Sequence, residues 1–152
     1  MTIDPFRYYL HDELTAHLHA LAEGYPGLAR LSSIGKSHRE RDIWCMTITN
    51  LASGPPEAKP AFYIDGNNHG EEVVTSAVAF FTIGYVLERY GVDPFVTELL
   101  DTRALYILPR VNPDGAEISL TTPYQTVGNG HYLPSEEQPR ALTPARTLKV
   151  RP

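Results

Sequence analysis

The amino-acid sequence predicts an α/β domain built on a mixed, largely parallel sheet with helices on both faces. Three observations indicate this class. The chain has 152 residues, which is the size of one domain. Short apolar runs of strand type alternate with segments of helical spacing. The run Ala61–Asp65, the long apolar segment after it and residues 103–108 follow the strand–helix–strand order of a parallel pairing.

The first predicted helix covers a leucine repeat near the N-terminus. Apolar positions recur at helical spacing at Leu10, Leu14, Leu18 and Leu21. Gly24 and Pro26 end this helix. Two strand-like runs follow, in residues 28–37 and 41–50, and the charged segment between them makes a hairpin the expected connection.

The longest predicted helix follows strand 61–65. Glu71 and Glu72 open it, where acidic side chains suit the positive end of the helix dipole, and it should run to Tyr90 with Gly91 just beyond. Its residues 73–87 are apolar nearly all round, so we expect the most buried helix of the domain. A short helix is expected in residues 94–100.

Composition and charge exclude several classes of function. The chain carries 13 Lys and Arg against 18 Asp and Glu, so it lacks the cationic excess of nucleic-acid binding. Its single cysteine, Cys45, excludes an intrachain disulfide and is expected to be a small core residue. The N-terminus has no signal-peptide pattern, and residues 73–87 are too short for a membrane span. We therefore expect a cytoplasmic protein that binds neither membrane nor nucleic acid.

The character of the sequence changes from Pro109 onward. The last 44 residues contain seven of the 13 prolines and no apolar period, which predicts a structureless run from Pro109 onward. A structureless run of this length is unusual inside a compact domain. No acid follows Glu137, whereas four cations do: Arg140, Arg146, Lys149 and Arg151. We therefore assign residues 1–140 to the domain and leave residues 141–152 as an unplaced tail, disordered or foreign to the fold.

His69 and Glu72 are the candidate metal ligands. They stand three residues apart where strand 61–65 passes into the long helix, so both side chains can project to one side. Imidazole nitrogen and carboxylate oxygen are ordinary zinc ligands, and sites in α/β sheets gather at the carboxyl ends of strands. The alternative is a helix N-terminus that merely follows a histidine. Asp65, at the strand end, is expected either to support the ligand loop or to cap it.

A second motif, Asn112-Pro113-Asp114-Gly115, follows strand 103–108. Proline fixes φ and glycine supplies a permissive position, so these residues by themselves predict a turn. If the two strands are parallel, the turn lies on the same edge of the sheet as His69.

Together the segments FYIDGNNHGEE and LLDTRALYILPRVNPDGAE closely resemble the zinc metallocarboxypeptidases of the carboxypeptidase A type. The resemblance runs from about Tyr8 to Glu117, and at its furthest to Arg140. It implies that His69 and Glu72 are two of three ligands of a Zn²⁺ cofactor. It also implies a peptide substrate and a proteolytic reaction, in which hydrolysis releases the C-terminal amino acid.

The chain departs from the family pattern beyond the turn. The resemblance implies a third ligand, a histidine far downstream, and a glutamate general base that we expect beyond the chain end. His131 lies too close to the turn, and Glu136 and Glu137 do not match the base. The resemblance also implies an arginine that polarises the scissile carbonyl a dozen or so residues past the turn; position 127 is Val, and Arg140 is a poor substitute. We therefore expect the N-terminal half of a carboxypeptidase-like domain, truncated or frameshifted near Arg140, with no general base of its own.

Two other functions stay open at this point. The first is a zinc amidohydrolase of the aspartoacylase and succinylglutamate desuccinylase group, which also uses His-Gly-x-Glu. The second is a non-catalytic fragment or binding module that keeps the scaffold without the chemistry. The Asn-Pro-Asp-Gly motif favours the peptidase, whereas the missing downstream ligands favour the fragment. A half-sheet would also leave an apolar edge uncovered.

Overall fold

A computed structural model describes residue 4 and residues 7–122 of the chain. The strands form one sheet in the order β1-β2-β4-β3. The elements are α1 (His11–Gly24), β1 (Ala29–Lys36), β2 (Asp42–Ile48), β3 (Ala61–Asp65), α2 (Val73–Arg89), α3 (Pro94–Thr102), β4 (Ala104–Leu108) and α4 (Pro113–Thr121). The predicted tail at residues 141–152, and the domain boundary before it, lie outside the described residues.

The sheet is mixed, as predicted, but less of its pairing is parallel than the sequence suggests. β3 and β4 pair in parallel, with Tyr63 opposite Tyr106, and α2 and α3 form the crossover between them. β1 and β2 form the predicted hairpin, whose short connection permits only antiparallel pairing. β2 also runs antiparallel to β4, with Met46 opposite Ile107. One parallel pair therefore stands beside two antiparallel ones.

The core joins three helices to one face of this sheet. Leucines of α1, the inner side of α2 and two residues of α3 meet alternate residues of the central strands. Alternate positions of a strand share a face, so this arrangement follows from the apolar period of each strand. The strand residues at the centre of the core are Met46, Ile48, Leu105 and Ile107.

α2 has more buried residues than any other described helix, as expected, but it buries one side only, although its composition is apolar nearly all round. Phe80 is 1% exposed and lies in the core, whereas Phe81 is 41% exposed. Val74, Val78 and Tyr85 share the exposed side with Phe81. The difference arises because no described element packs over the outer side of α2. No described helix is both long enough and apolar enough to cross a membrane.

β3 leaves an apolar edge, as expected for a half-sheet. It is the last strand of the described sheet, and its Phe62 side chain is 63% exposed. Ile64, on the same face of the strand, is partly buried against the core. An edge strand with exposed apolar side chains is a ready template for pairing with another chain.

The chain continues into a helix after β4, so the prediction of a structureless run from Pro109 is wrong as far as residue 121. The Asn112 side chain caps α4 by accepting a hydrogen bond from the Gly115 amide at 2.9 Å. Pro113 occupies the first helical position, where its missing N–H costs nothing. The motif predicted as a turn is therefore a helix start.

Asp114 fastens the hairpin tip to the start of α4. Its carboxylate accepts hydrogen bonds from the Ser37 hydroxyl at 2.9 Å, the Arg39 amide at 2.9 Å and Nη1 of Arg41 at 2.7 Å. Desolvation by itself would raise the pKa of Asp114, but the donors from Arg41, Arg39 and Ser37 outweigh it. The pKa of this carboxyl consequently lies below its ordinary value.

Arg110 fastens the N-terminal segment to the sheet. Its buried guanidinium donates from Nη2 to the Tyr9 carbonyl at 2.8 Å and from Nε to the Ser76 hydroxyl at 3.3 Å. Glu117 lies 3.9 Å from Nη1 and accepts the His11 amide at 2.6 Å. Burial lowers the pKa of Arg110 to about 10, against the opposing effect of Glu117, so the guanidinium stays charged at neutral pH.

Phe80→Ala should lower the free energy of unfolding by about 3–5 kcal/mol, because it removes a fully buried ring from the core. Phe81→Ala is the matched control on the next residue and should cost less than about 1 kcal/mol. Chemical denaturation of both variants measures the difference. Equal losses at the two positions would contradict the one-sided burial of α2.

Asp114→Asn should lower the free energy of unfolding by about 1–2 kcal/mol at pH 7, because three donors then lose a charged acceptor. A carboxyl whose pKa is depressed by folding contributes stability that is present above its unfolded pKa and is lost as the pH falls through its folded pKa. The gap between wild type and variant should therefore shrink as the pH falls below about 4. A gap that stays constant down to pH 2 would contradict the assignment.

Candidate metal centre

His69 and Glu72 meet at the carboxyl end of β3. Nδ1 of His69 lies 3.3 Å from Oε1 of Glu72, and the two side chains are 47% and 48% exposed. Two atoms each about 2.1 Å from one zinc ion at the tetrahedral angle lie about 3.4 Å apart. The pair therefore fits two positions around a zinc ion, and the same separation also permits a hydrogen bond from imidazole to carboxylate.

The loop between β3 and α2 is tied to the segment that follows β4. The Gly66 amide donates to the Leu108 carbonyl at 3.0 Å, and the Val111 amide donates to the Gly66 carbonyl at 3.0 Å. The Asn112 amide donates to the Asn67 carbonyl, also at 3.0 Å. The two sequence motifs consequently lie side by side at one edge of the sheet, as the parallel pairing of β3 and β4 predicts.

Asn67 stabilises the loop from inside, a role that the sequence analysis missed. The backbone of Asn67 lies in the left-handed region, with φ of 58°, and the whole residue is 1% exposed. Its side-chain amide donates to the carbonyl of His69 at 2.7 Å and to that of Gly70 at 3.3 Å. Asparagine tolerates this backbone region better than most residues, which is the one signal in the sequence that could have pointed to it.

Two glycines let the loop fit between the starts of α2 and α4. A Cβ on Gly66 would lie 2.5 Å from the Thr75 carbonyl oxygen of α2. A Cβ on Gly115 would lie 2.8 Å from the Cα of Gly70. Backbone therefore packs on backbone on both sides of the loop, and no larger residue fits at either position.

The hydroxyl of Thr75 joins the loop to the second candidate ligand. It accepts the Asn67 amide at 2.7 Å and donates to the carbonyl of Glu72 at 2.7 Å. The Glu72 amide in turn donates to the His69 carbonyl at 3.1 Å. The backbones of both candidate ligands therefore belong to one hydrogen-bonded unit.

Asp65, expected either to support the ligand loop or to cap it, contacts the loop through a side chain. Its Oδ1 accepts a hydrogen bond from the Asn68 side chain at 3.1 Å, across the base of the loop. Cys45 is a buried strand residue, and burial raises the pKa of its thiol. A buried, protonated thiol agrees with the core role expected for Cys45.

The described residues bring no third ligand to the pair. They contain no group of three or more His, Cys, Asp or Glu side chains arranged to hold a metal ion. The downstream positions considered in the sequence analysis lie outside the described part of the chain: Val127, His131, Glu136, Glu137 and Arg140.

Comparison with known proteins identifies the family. The family model for zinc carboxypeptidase matches residues 14–137. Carboxypeptidase D of Drosophila melanogaster is 39% identical over 115 residues, which cover 74% of this chain and 8% of that protein. Carboxypeptidase M of Mus musculus is 34% identical over 112 residues, or 74% of this chain and 25% of that protein.

Solved structures agree with the sequence comparisons. A crystal structure of thrombin-activatable fibrinolysis inhibitor superposes with a TM-score of 0.66 at 27% identity, covering 73% of this chain and 27% of that one. Carboxypeptidase A of Helicoverpa armigera superposes with a TM-score of 0.67 at 24% identity, covering 78% of this chain and 28% of that one, which shows the fold alone. The matched segment therefore covers between 8% and 28% of the proteins named here, and this chain belongs to the zinc carboxypeptidase family.

Proposed function

We propose that this chain supplies His69 and Glu72 as two zinc ligands of a metallocarboxypeptidase that releases C-terminal amino acids from peptides. The observation that carries the proposal is the 3.3 Å contact between Nδ1 and Oε1 at a strand end. That contact lies inside the segment matched by the zinc carboxypeptidase model. Both side chains are half-exposed, so an ion can reach them without a rearrangement of the fold.

His69, Glu72 and the loop between β3 and α2 have different roles in this proposal. A zinc ion, when bound, lowers the pKa of a water molecule and stabilises the developing oxyanion of a peptide carbonyl. His69 offers a neutral nitrogen donor and Glu72 a carboxylate that offsets part of the metal charge. The loop fixes the backbones of both residues, which reduces the conformational entropy lost on ligation.

Two ligands alone hold a zinc ion weakly. Catalytic zinc sites normally have three protein ligands and a water, and the described residues contribute two. A positioned general base is typically worth 10²–10⁴-fold in rate, and the described residues contain no third His, Cys, Asp or Glu grouped with the pair. The peptide substrate, the cytoplasmic location and the absence of membrane and nucleic-acid partners stay predictions.

The family match favours the peptidase over the amidohydrolase, because the matching model and the relatives named above are carboxypeptidases. The third candidate, a non-catalytic fragment or binding module, is favoured by a different observation: the described residues contain no third ligand. A panel of peptides and N-acyl amino acids, assayed with zinc present, separates these three functions.

Zinc should bind the purified chain with a dissociation constant in the micromolar range or weaker, and His69→Ala or Glu72→Ala should abolish the binding. His38→Ala and Glu88→Ala are the matched controls, because both positions are exposed and lie outside the ligand loop. Calorimetric titration with zinc chloride measures all five proteins. Binding that survives His69→Ala would overturn the metal assignment.

The chain by itself should trim peptides negligibly even at saturating zinc, because the described residues add no third ligand and no separate base to the pair. Mass spectrometry of a peptide library after incubation measures the loss of C-terminal residues. Trimming at an ordinary enzyme rate that disappears in Glu72→Ala would confirm the ligand but contradict the expected weakness of this site.

A further inference from the structure

We propose that Asn67 is a positioning residue for the metal centre, and that Gly115 holds the loop it organises against the start of α4. Asn67 acts through the backbones of His69 and Glu72 and touches neither metal nor substrate. The inference rests on the proposed function, because it concerns how the two zinc ligands are oriented before an ion arrives.

The hydrogen bonds of the Asn67 side chain go to the ligand segment. Nδ2 donates to the carbonyl of His69 at 2.7 Å and to the carbonyl of Gly70 at 3.3 Å. The His69 carbonyl also accepts the Glu72 amide at 3.1 Å. One carbonyl oxygen therefore joins the Asn67 side chain to the backbones of both ligands.

The structure holds Asn67 in place against two unfavourable terms. Its backbone lies in the left-handed region, with φ of 58°, which is unfavourable for non-glycine residues, although asparagine tolerates it better than most. Its Oδ1 is buried and finds no hydrogen-bond partner among the described residues. A flipped amide would turn that oxygen toward two carbonyl oxygens, so the acceptors fix the orientation of the side chain. A strained backbone and a buried oxygen without a partner occur together most often where the loop conformation serves a function.

Gly115 supplies the opposite wall of the loop. Its missing Cβ lets the Cα of Gly70, which stands between the two candidate ligands, approach the first turn of α4. The Asn112 amide, in the same motif, donates to the Asn67 carbonyl at 3.0 Å. The motif Asn112-Pro113-Asp114-Gly115 therefore contacts the ligand loop through Gly115 and hydrogen-bonds to it through Asn112, and it contributes no ligand itself.

The bonds of Asn67 to α2 and to the start of α4 come from its backbone. Its backbone groups, not its side chain, make the bonds to Thr75 and Asn112. Asn67→Gly keeps those bonds and accepts the left-handed backbone without strain, while deleting the two bonds to the ligand segment. Asn68→Gly is the matched control, since it places a glycine in the same loop but removes only the bond to Asp65.

The test compares zinc affinities by NMR titration of the His69 imidazole signals with zinc chloride. Asn67→Gly should weaken zinc binding about 10- to 100-fold, the range seen when groups that orient a metal ligand are lost. Asn68→Gly should change it by less than about threefold. Gly115→Ala should weaken binding in the same direction, whereas Gly27→Ala, where an added Cβ meets nothing within 4 Å, should not.

A metal-free measurement keeps this inference separate from the proposed function. Backbone NMR relaxation of residues 68–72 should show a rigid loop in the wild type and a looser one in Asn67→Gly, with β4 unchanged in both. A wild-type loop that is rigid and depends on Asn67 but binds no zinc would sink the proposed function and leave the positioning role intact. A loop that is equally rigid in Asn67→Gly, with zinc affinity unchanged, would overturn the positioning role.

Discussion

The parallel pairing of β3 with β4 is the constraint on which the candidate metal centre depends. It brings two strand ends to one edge, and hydrogen bonds between them continue beyond the last paired residues. The amide of Gly66 donates to the carbonyl of Leu108. In the other direction, the amides of Val111 and Asn112 donate to the carbonyls of Gly66 and Asn67. The loop that carries His69 and the motif that starts α4 thereby become one rigid unit.

The sequence predicted the elements that have a clear hydrophobic period or a clear stop signal. β3 covers the residues of its predicted strand, and α2 ends at Arg89, two residues before Gly91, whose φ of 76° favours glycine. The pair His69 and Glu72 was found from spacing and context, and the structure brings the two side chains together. Their role as ligands stays a proposal.

The features that the sequence did not reveal depend on contacts between distant segments. Asn112 and Pro113 start a helix, yet the same residues also predict a turn, and only the structure shows that Gly115 and Ala116 pack in the interior. The role of Asp114 gives no local signal, because its partners Ser37, Arg39 and Arg41 lie in another part of the chain. The carbonyls that Asn67 binds are near it in sequence, but only the folded loop brings them to its side chain. Phe81 was expected inside because composition cannot tell which side of an apolar helix has a neighbour.

Hydrogen exchange of individual amides in the metal-free chain tests most directly whether the metal centre is preformed. If the loop and the start of α4 form one unit, the amides of Val111 and Asn112 should exchange as slowly as those of the paired residues of β4, because they open only with the sheet. Fast exchange of both amides, while β4 stays protected, would show that the two motifs are merely neighbours. The preformed metal centre would then be contradicted.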